Sequence, residues 1–507
     1  MNATLTARAP ALLAPAVILT AVAAGFLPVL WLGAAQGFSG FDPYLVRVLR
    51  FTLLQAGLSA LLSILIGIPV ARALARQSFP GRAIILRLLT LPMALPAIVV
   101  IIGVIEVYGT RGWLGGAFGL YGLQGILLAH VFFNFPLAAR LSLSALERIP
   151  PESWKLAAQL DFGPRDIWRL IEWPQLRGSL PGIALLIFLL CASSFAIVLT
   201  LGGGPRATTL EVAIYQSLRA DFDPPRAAAL AVVQLLLCAS LAIIAQRWGG
   251  LMTDGPTLRG IVIRYDGKTF TARLADAVVI GGGLLVLLPP LLALTVSGAG
   301  NIVVSTELLR AAATSLMLGL ATAAVTLLLA WPLAAARSET WRKASGLIVL
   351  SGWIMPPAVL ATGWFILLSG HADVSGLAPF LVIAMNGLMA LPFAYQIAAP
   401  AVAQSAARHD RLCAGLGIEG FNRLRLIDLA VLRKPLALAL VMGFVMSLGD
   451  LTAISLFGTQ DLLTFPALIY RQMGTYRIDE AVGSALLLGI FVLALTTLAE
   501  RWSSARD

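Results

Sequence analysis

Apolar positions in this chain come in long blocks, not in alternation with polar ones. Twelve stretches, at 11–32, 51–71, 88–105, 123–139, 181–201, 227–245, 277–297, 311–334, 346–368, 377–398, 435–456 and 481–498, carry almost no charge. A helix of about 20 apolar residues covers the hydrocarbon core of a bilayer. The pattern therefore predicts an all-α polytopic membrane protein with about 12 transmembrane helices. The first block follows Arg8, as a signal peptide would. It is longer than the roughly 7–15 residues of a signal core, so it reads as a retained span.

One stretch interrupts the pattern. WKLAAQLDFGPRDIWRLIEWPQLRGSLPG, residues 154–182, crowds Lys155, Asp161, Arg165, Asp166, Arg169, Glu172 and Arg177 into a segment between two apolar blocks. It recurs 256 residues later. LAAQLDFGPRDIWRLIEWPQLR, from Leu156, aligns without gaps to LCAGLGIEGFNRLRLIDLAVLR, from Leu412, with 8 of 22 positions identical and Glu172 facing Asp428. Other marks recur in the same order. PAIVVIIG from Pro96 answers PAVLATG from Pro357, FPLA from Phe135 answers LPFA from Leu391, and AIYQSL from Ala213 answers LIYRQM from Leu468. The chain is thus expected to hold two parallel six-span halves, 1–245 and 277–507, joined by a polar linker, 246–276. The linker contains YDGKTF, but Val262 stands where a phosphate-binding loop needs its first Gly, so no ATP site is expected there.

Composition and charge agree with the membrane reading. Hydrophobic residues make up 59% of the chain and charged ones 12%, with a mean hydropathy of +0.89. A soluble domain carries about 25% charged residues. With the N-terminus inside, 27 of the 36 Lys and Arg fall on the inner segments. The positive-inside rule then places both termini and the repeated charged stretch in the cytoplasm. The net charge of +11 is spread over short loops, which speaks against nucleic acid. Cys191, Cys238 and Cys413 form no CxxC and have only His130, His371 and His409 as companions, so neither a metal site nor a disulfide framework is expected.

The repeated stretch reads as a short helix, a turn and a second helix. Leu156 and Leu160 share one helical face, Gly163-Pro164 marks a turn, and Ile167, Leu170, Ile171 and Pro174 begin another apolar face. In the second copy Leu412 and Leu416 repeat the face, and Gly417 and Gly420 mark the turn. Such an element lies on the membrane surface or docks in the groove of a partner. Its duplication favours a partner present twice.

These residues resemble the EAA loop of ABC-transporter permeases, E-A-A-x-x-x-G. Lys155 and Arg411 stand where that family has Glu, and Asp161 stands where Gly417 keeps the Gly, so the first turn is expected at Gly163-Pro164 instead. More specifically the chain resembles the fused permeases of bacterial thiamine ABC transporters, nearly end to end. The resemblance rests on FPGRAIILRLLTLPMALPAIV, YGLQGILLAHVFFNFPLAARL, LGGGPRATTLEVAIYQSL with DFDPPRAAALA, and LGIEGFNRLRLIDLAVLRKPLALAL. It implies a type I ABC importer permease fold in the bacterial inner membrane. It also implies two copies of a separate cytoplasmic ABC ATPase, a periplasmic thiamine-binding protein, surrounding lipid, and no cofactor or catalysis in this chain. Lys155, Leu156, Ala157, Ala158, Leu160, Asp161, Gly163 and Pro174 would form the first ATPase-coupling loop, and Arg411, Leu412, Ala414, Leu416, Gly417 and Gly420 the second.

For the translocation pathway the candidates are Asp450, its counterpart Ser194, and the aromatic Phe195 or Trp353. Thiamine carries a quaternary thiazolium, which a carboxylate attracts and an aromatic face holds by cation–π contact. Asp450 equally reads as the cap of a helix break before Gly458, or as a partner to a neighbouring helix. His130 reads first as an interhelical hydrogen-bond partner, and Glu106 and Glu211 as solvated residues of outer loops. The outer segments 201–226 and 457–480 are expected to carry short helices that plug the mouth or meet the binding protein. An iron(III) ABC permease shares this architecture, and a 6+6 proton-coupled secondary transporter shares the span count. The secondary transporter leaves the duplicated charged loops unexplained.

Overall fold

The computed structural model describes residues 9–35, 42–116, 119–247, 264–267, 269–335, 339–369, 371, 373–418, 420–459 and 461–504. These residues are helical nearly throughout. Ten helices among them are long and apolar enough to cross a membrane: Leu13–Gly33, Pro43–Arg76, Leu123–Glu147, Pro164–Ala192, Pro224–Ile244, Phe270–Gly300, Thr306–Ala334, Val374–Gly415, Arg425–Gly449 and Ile478–Trp502. The chain is a polytopic α-helical membrane protein.

Two of the twelve expected spans are broken. The block at 88–105 falls on the helices Arg82–Ala94 and Ala97–Tyr108, which meet at 110°. Leu95 is extended, with φ −80° and ψ 137°, because the ring of Pro96 disfavours helical backbone in the residue before it. The block at 346–368 falls on Glu339–Ile354 and the short apolar helix Pro357–Leu368, separated at Met355-Pro356. Two further spans have shifted ends. The block at 181–201 belongs to a helix that starts at Pro164 and stops at Ala192, followed by the separate helix Ala196–Leu201. The block at 435–456 likewise divides into Arg425–Gly449 and Thr452–Phe457. Apolarity marks depth in the bilayer, but it does not mark where backbone hydrogen bonding changes direction.

Small residues draw the helices together. A Cβ on Gly363 would lie 1.7 Å from the carbonyl oxygen of Gly25, so the first helix and Pro357–Leu368 touch backbone to backbone. Trp364 reinforces that contact by donating from Nε1 to the carbonyl of Ala21 at 2.9 Å. Gly67 plays the same part between Pro43–Arg76 and Leu123–Glu147, where its Cβ would meet that of Ala138 at 2.6 Å.

Polar side chains inside the bundle pair across helices. His130 Nδ1 lies 3.1 Å from Ser59 Oγ, as expected of an interhelical partner. At the matching position 256 residues on, Asn386 donates to Ser447 Oγ at 3.2 Å, and Ser447 donates to Thr322 Oγ1 at 3.2 Å.

The stretch read as a polar linker is described only in part. Residues 248–263 and 268 of it lie outside the described residues, and a helix already begins at Phe270. Within it Arg264 and Asp266 are buried, 5% and 8% exposed.

Candidate functional site

Each charged stretch folds as a helix, a left-handed turn and a helix, in the same register. In the first, the helix Pro151–Gln159 turns Trp154 and Ala157 inward, while Lys155 and Ala158 stay at the surface. Leu156 and Leu160 point outward, each 56% exposed. In the second, Cys413 points inward, Arg411 and Ala414 are exposed, and Leu412 and Leu416 are 54% and 63% exposed. Two pairs of leucines spaced one helical turn apart thus present apolar surface left exposed by the described residues.

The turns share one geometry. Phe162 N donates to Ala157 O at 3.0 Å and Asp161 N to Ala158 O at 3.3 Å. Ile418 N donates to Cys413 O at 2.9 Å and Gly417 N to Ala414 O at 3.4 Å. Both sets close the helix C-terminus with a residue in the left-handed region, Asp161 at φ 49° and Gly417 at φ 62°. The first turn therefore centres on Asp161, not on Gly163-Pro164. Gly163 precedes the next helix, Pro164–Ile167, and its N–H donates to Asp166 Oδ2 at 3.3 Å. Gly420 opens the corresponding helix, Gly420–Arg423.

A π-helical turn follows in each copy, Trp168–Glu172 and Leu424–Asp428, before the helix runs on into the membrane. Insertions of this kind widen the helix by one residue per turn and recur where a helix does mechanical or chemical work. Pro174 lies at the exposed start of the following helix, Trp173–Ala192.

The environments of the two acidic residues that end these π turns differ. Glu172 is fully buried and held by two cations, Arg72 Nε at 2.6 Å and Arg264 Nη2 at 2.7 Å. Arg264 comes from the linker, also grips Asp266 at 2.7 and 3.0 Å, and lies 4.0 Å over the ring of Trp154. Asp428 instead faces Arg423 at 3.6 Å, and Arg423 also pairs with Asp410 in the same loop. Neither Trp154 nor the linker Arg264 was singled out from the sequence for this role. The exchange of Trp154 for Asp410 between the aligned loops was the available signal.

The pathway candidates lie at two separate helix breaks, in the eleventh and fifth blocks. Asp450 accepts from Thr452 N at 3.0 Å and Ala453 N at 2.8 Å, capping the helix Thr452–Phe457. Ser194 is half-buried just before Phe195, which is buried against Tyr215 with ring centroids 5.3 Å apart. The side chain of Trp353 lies outside the described residues.

The outer segments do carry short helices, Leu210–Arg219 and Phe465–Gly474. Glu211 on the first is fully buried rather than solvated, and its Oε2 accepts from Ala358 N at 3.3 Å, at the start of Pro357–Leu368. Burial pushes its carboxyl up to about 8. Arg219 Nη2 donates to Gly458 O at 2.9 Å, a second link between the early and late parts of the chain.

Curated relatives match this chain almost end to end. It is 45% identical over 497 residues to the thiamine transport system permease protein ThiP of Brucella abortus, covering 94% of this chain and 91% of that protein. It is 41% identical over 515 residues to ThiP of Escherichia coli, covering 97% and 96%. A weaker match, 26% identical over 212 residues, joins 40% of this chain to 78% of a probable sulfate transport system permease protein of Helicosporidium. No family model matches the chain.

Proposed function

The chain belongs to the thiamine transport system permease family, and from that premise we propose that it is the membrane subunit of an ATP-driven importer. The cargo is thiamine with its phosphate esters, moved from periplasm to cytoplasm across the bacterial inner membrane. The single observation that carries the coupling part of this reading is the pair of exposed leucine faces, Leu156 with Leu160 and Leu412 with Leu416, repeated on identical turns. A separate cytoplasmic ATPase, present twice, takes one face in each of its copies by helix-in-groove contact.

ATP-driven closure of the two ATPases then displaces the loops. The π turns join each loop directly to a membrane helix, so the displacement passes to Pro164–Ala192 and Arg425–Gly449. A periplasmic thiamine-binding protein delivers cargo at the opposite end, near the short helices Leu210–Arg219 and Phe465–Gly474. Both termini are cytoplasmic in this arrangement. The chain itself is non-catalytic, and each half, 1–245 and 277–507, is one permease unit. The cargo passes Asp450, Ser194 and Phe195, with the carboxylate drawing the thiazolium and the ring facing it.

The reading is tested by uptake of labelled thiamine into proteoliposomes holding this chain, the ATPase and the binding protein. Uptake is expected to require ATP and to be lost in Leu156→Glu/Leu412→Glu. Uptake driven by a proton gradient without the ATPase would overturn it. Asp450→Asn is expected to lower uptake while ATPase binding persists, and unchanged uptake would remove that residue from the path. The iron(III) and secondary-transporter readings draw no support from the near full-length relatives, which are named thiamine permeases.

A further inference from the structure

We propose that Arg264, in the linker between the halves, is the positioning residue of the first loop, so that the linker sets that loop's geometry while the second loop sets its own. The aligned residues carry the inference. Where the second loop places Arg423 in its interior, the first places Ile167, which is fully buried. Where the second loop places Asp410, the first places Trp154. The second loop therefore holds its own cation for Asp428, whereas among the described residues the cations on Glu172 are Arg72 and Arg264, both from outside the first loop.

The cations that neutralise Glu172 come from outside the loop. Arg72 reaches it from the helix Pro43–Arg76, and Arg264 from the linker, where the guanidinium also covers Trp154. A buried carboxylate left without such partners is strongly unfavourable, so the loop's packed form depends on Arg264 being in place.

The linker is fastened on both sides of Arg264's neighbourhood. Tyr265 donates its hydroxyl to the carbonyl of Phe162, the residue after the left-handed turn, at 3.0 Å. Gln77 donates to Gly267 O at 3.1 Å and to Asp276 Oδ2 at 2.6 Å, and Arg76 also pairs with Asp276. Gly267 sits so close that a Cβ there would lie 2.8 Å from Arg76 Cγ and 3.0 Å from its carbonyl oxygen. The segment RYDG thus has a built seat between the first loop, the end of Pro43–Arg76 and the start of Phe270–Gly300.

A mechanical asymmetry follows. A push on the first loop passes through Glu172 into Pro43–Arg76 and, by way of the linker and Asp276, into the first helix of the second half. A push on the second loop passes into its own helix. This consequence rests on the proposed ATPase docking, whereas the positioning by Arg264 does not.

The test is hydrogen–deuterium exchange on the full chain in lipid nanodiscs, without ATPase or substrate, comparing residues 154–172 with 410–428. Arg264→Gln is expected to speed exchange across 154–172 by about tenfold or more and to leave 410–428 unchanged. Arg264→Lys is expected to recover only part of the protection, since an ammonium lacks the fork that bridges Glu172 and Asp266. Arg423→Gln is expected to give the mirror result, with faster exchange in 410–428 alone. Unchanged exchange across 154–172 in Arg264→Gln would overturn the proposal, and so would equal acceleration in both loops, which marks a general loosening. Because neither ATPase nor thiamine is present, failure here leaves the transport reading intact, and failure of ATP-driven uptake leaves this result intact.

Discussion

The two loops follow one backbone path and are built into the protein in different ways. The first is preceded by a break at Pro150-Pro151, so its helix Pro151–Gln159 is a separate piece. The second has Ala406-Ala407 at the aligned positions, and its helix is the far end of the 42-residue Val374–Gly415. The first loop then draws its neutralising charge from a distant helix and the linker, and the second from within. The two copies share the four exposed leucines and the left-handed turns and differ in their anchoring. A detached helix needs outside fastening, whereas a helix continuous with its span is already held.

The largest expected difference between the loops concerns their acidic residues. Glu172→Ala leaves Arg264 with Asp266 as its remaining carboxylate and removes the carboxylate that Arg72 pairs with, and is expected to cost about 3–5 kcal/mol. Asp428→Ala, where Arg423 retains Asp410, is expected to cost about 1 kcal/mol. Thermal unfolding of the detergent-solubilised chain measures both, and equal costs would erase the distinction.

Continuity of the helices comes next. Ala406→Pro removes a backbone donor and places a ring against the preceding turn of Val374–Gly415, at a cost of about 3 kcal/mol. Pro151→Ala, at the first turn of its helix where proline is tolerated, should change stability little. The same unfolding assay compares them.

A third contrast lies in the outer short helices, where Glu211 of the first answers Pro466 of the second. The carboxyl of Glu211 is raised to about 8, above its unfolded value near 4.5. The proton it keeps stabilises the fold fully below the unfolded value, and that contribution is lost as pH rises through 8. Glu211→Gln should therefore match the parent near pH 4 and be more stable by about 4 kcal/mol at pH 8.5. A constant difference across that range would contradict the assignment.

The smallest effect is in the turns. Asp161→Gly relieves a side chain of the left-handed region and should stabilise by about 0.5–1 kcal/mol, while Gly417→Ala should cost about 1 kcal/mol. Opposite signs are the point of that pair.

Much of this organisation was legible in the sequence. The offset of 256 residues located both loops, both leucine faces and the acidic pair, because a ladder of local helical contacts preserves spacing. Span ends were not, since Ser193 and Asp450 stop helices by local hydrogen bonding inside runs that stay apolar on both sides. The turn at Asp161 was misplaced because glycine is the usual left-handed residue, and here an Asp occupies that conformation. The cage around Glu172 was hidden for a different reason. Arg72, Glu172 and Arg264 are brought together only by the packing of a helix, a loop and a linker, and no spacing within any one of them announces the meeting. Glu211 looked solvated because it lies between apolar blocks, near their outer ends, while the helix start at Ala358 that covers it lies in the other half.

The central claim is that each loop receives one copy of an ATPase. Its most direct test places a photo-crosslinking amino acid at 160, at 416, or at both, in the chain assembled with its ATPase and binding protein. One ATPase adduct from each single position and two from the doubly labelled chain are predicted. No adduct at either position, or one adduct only from the doubly labelled chain, would contradict the account.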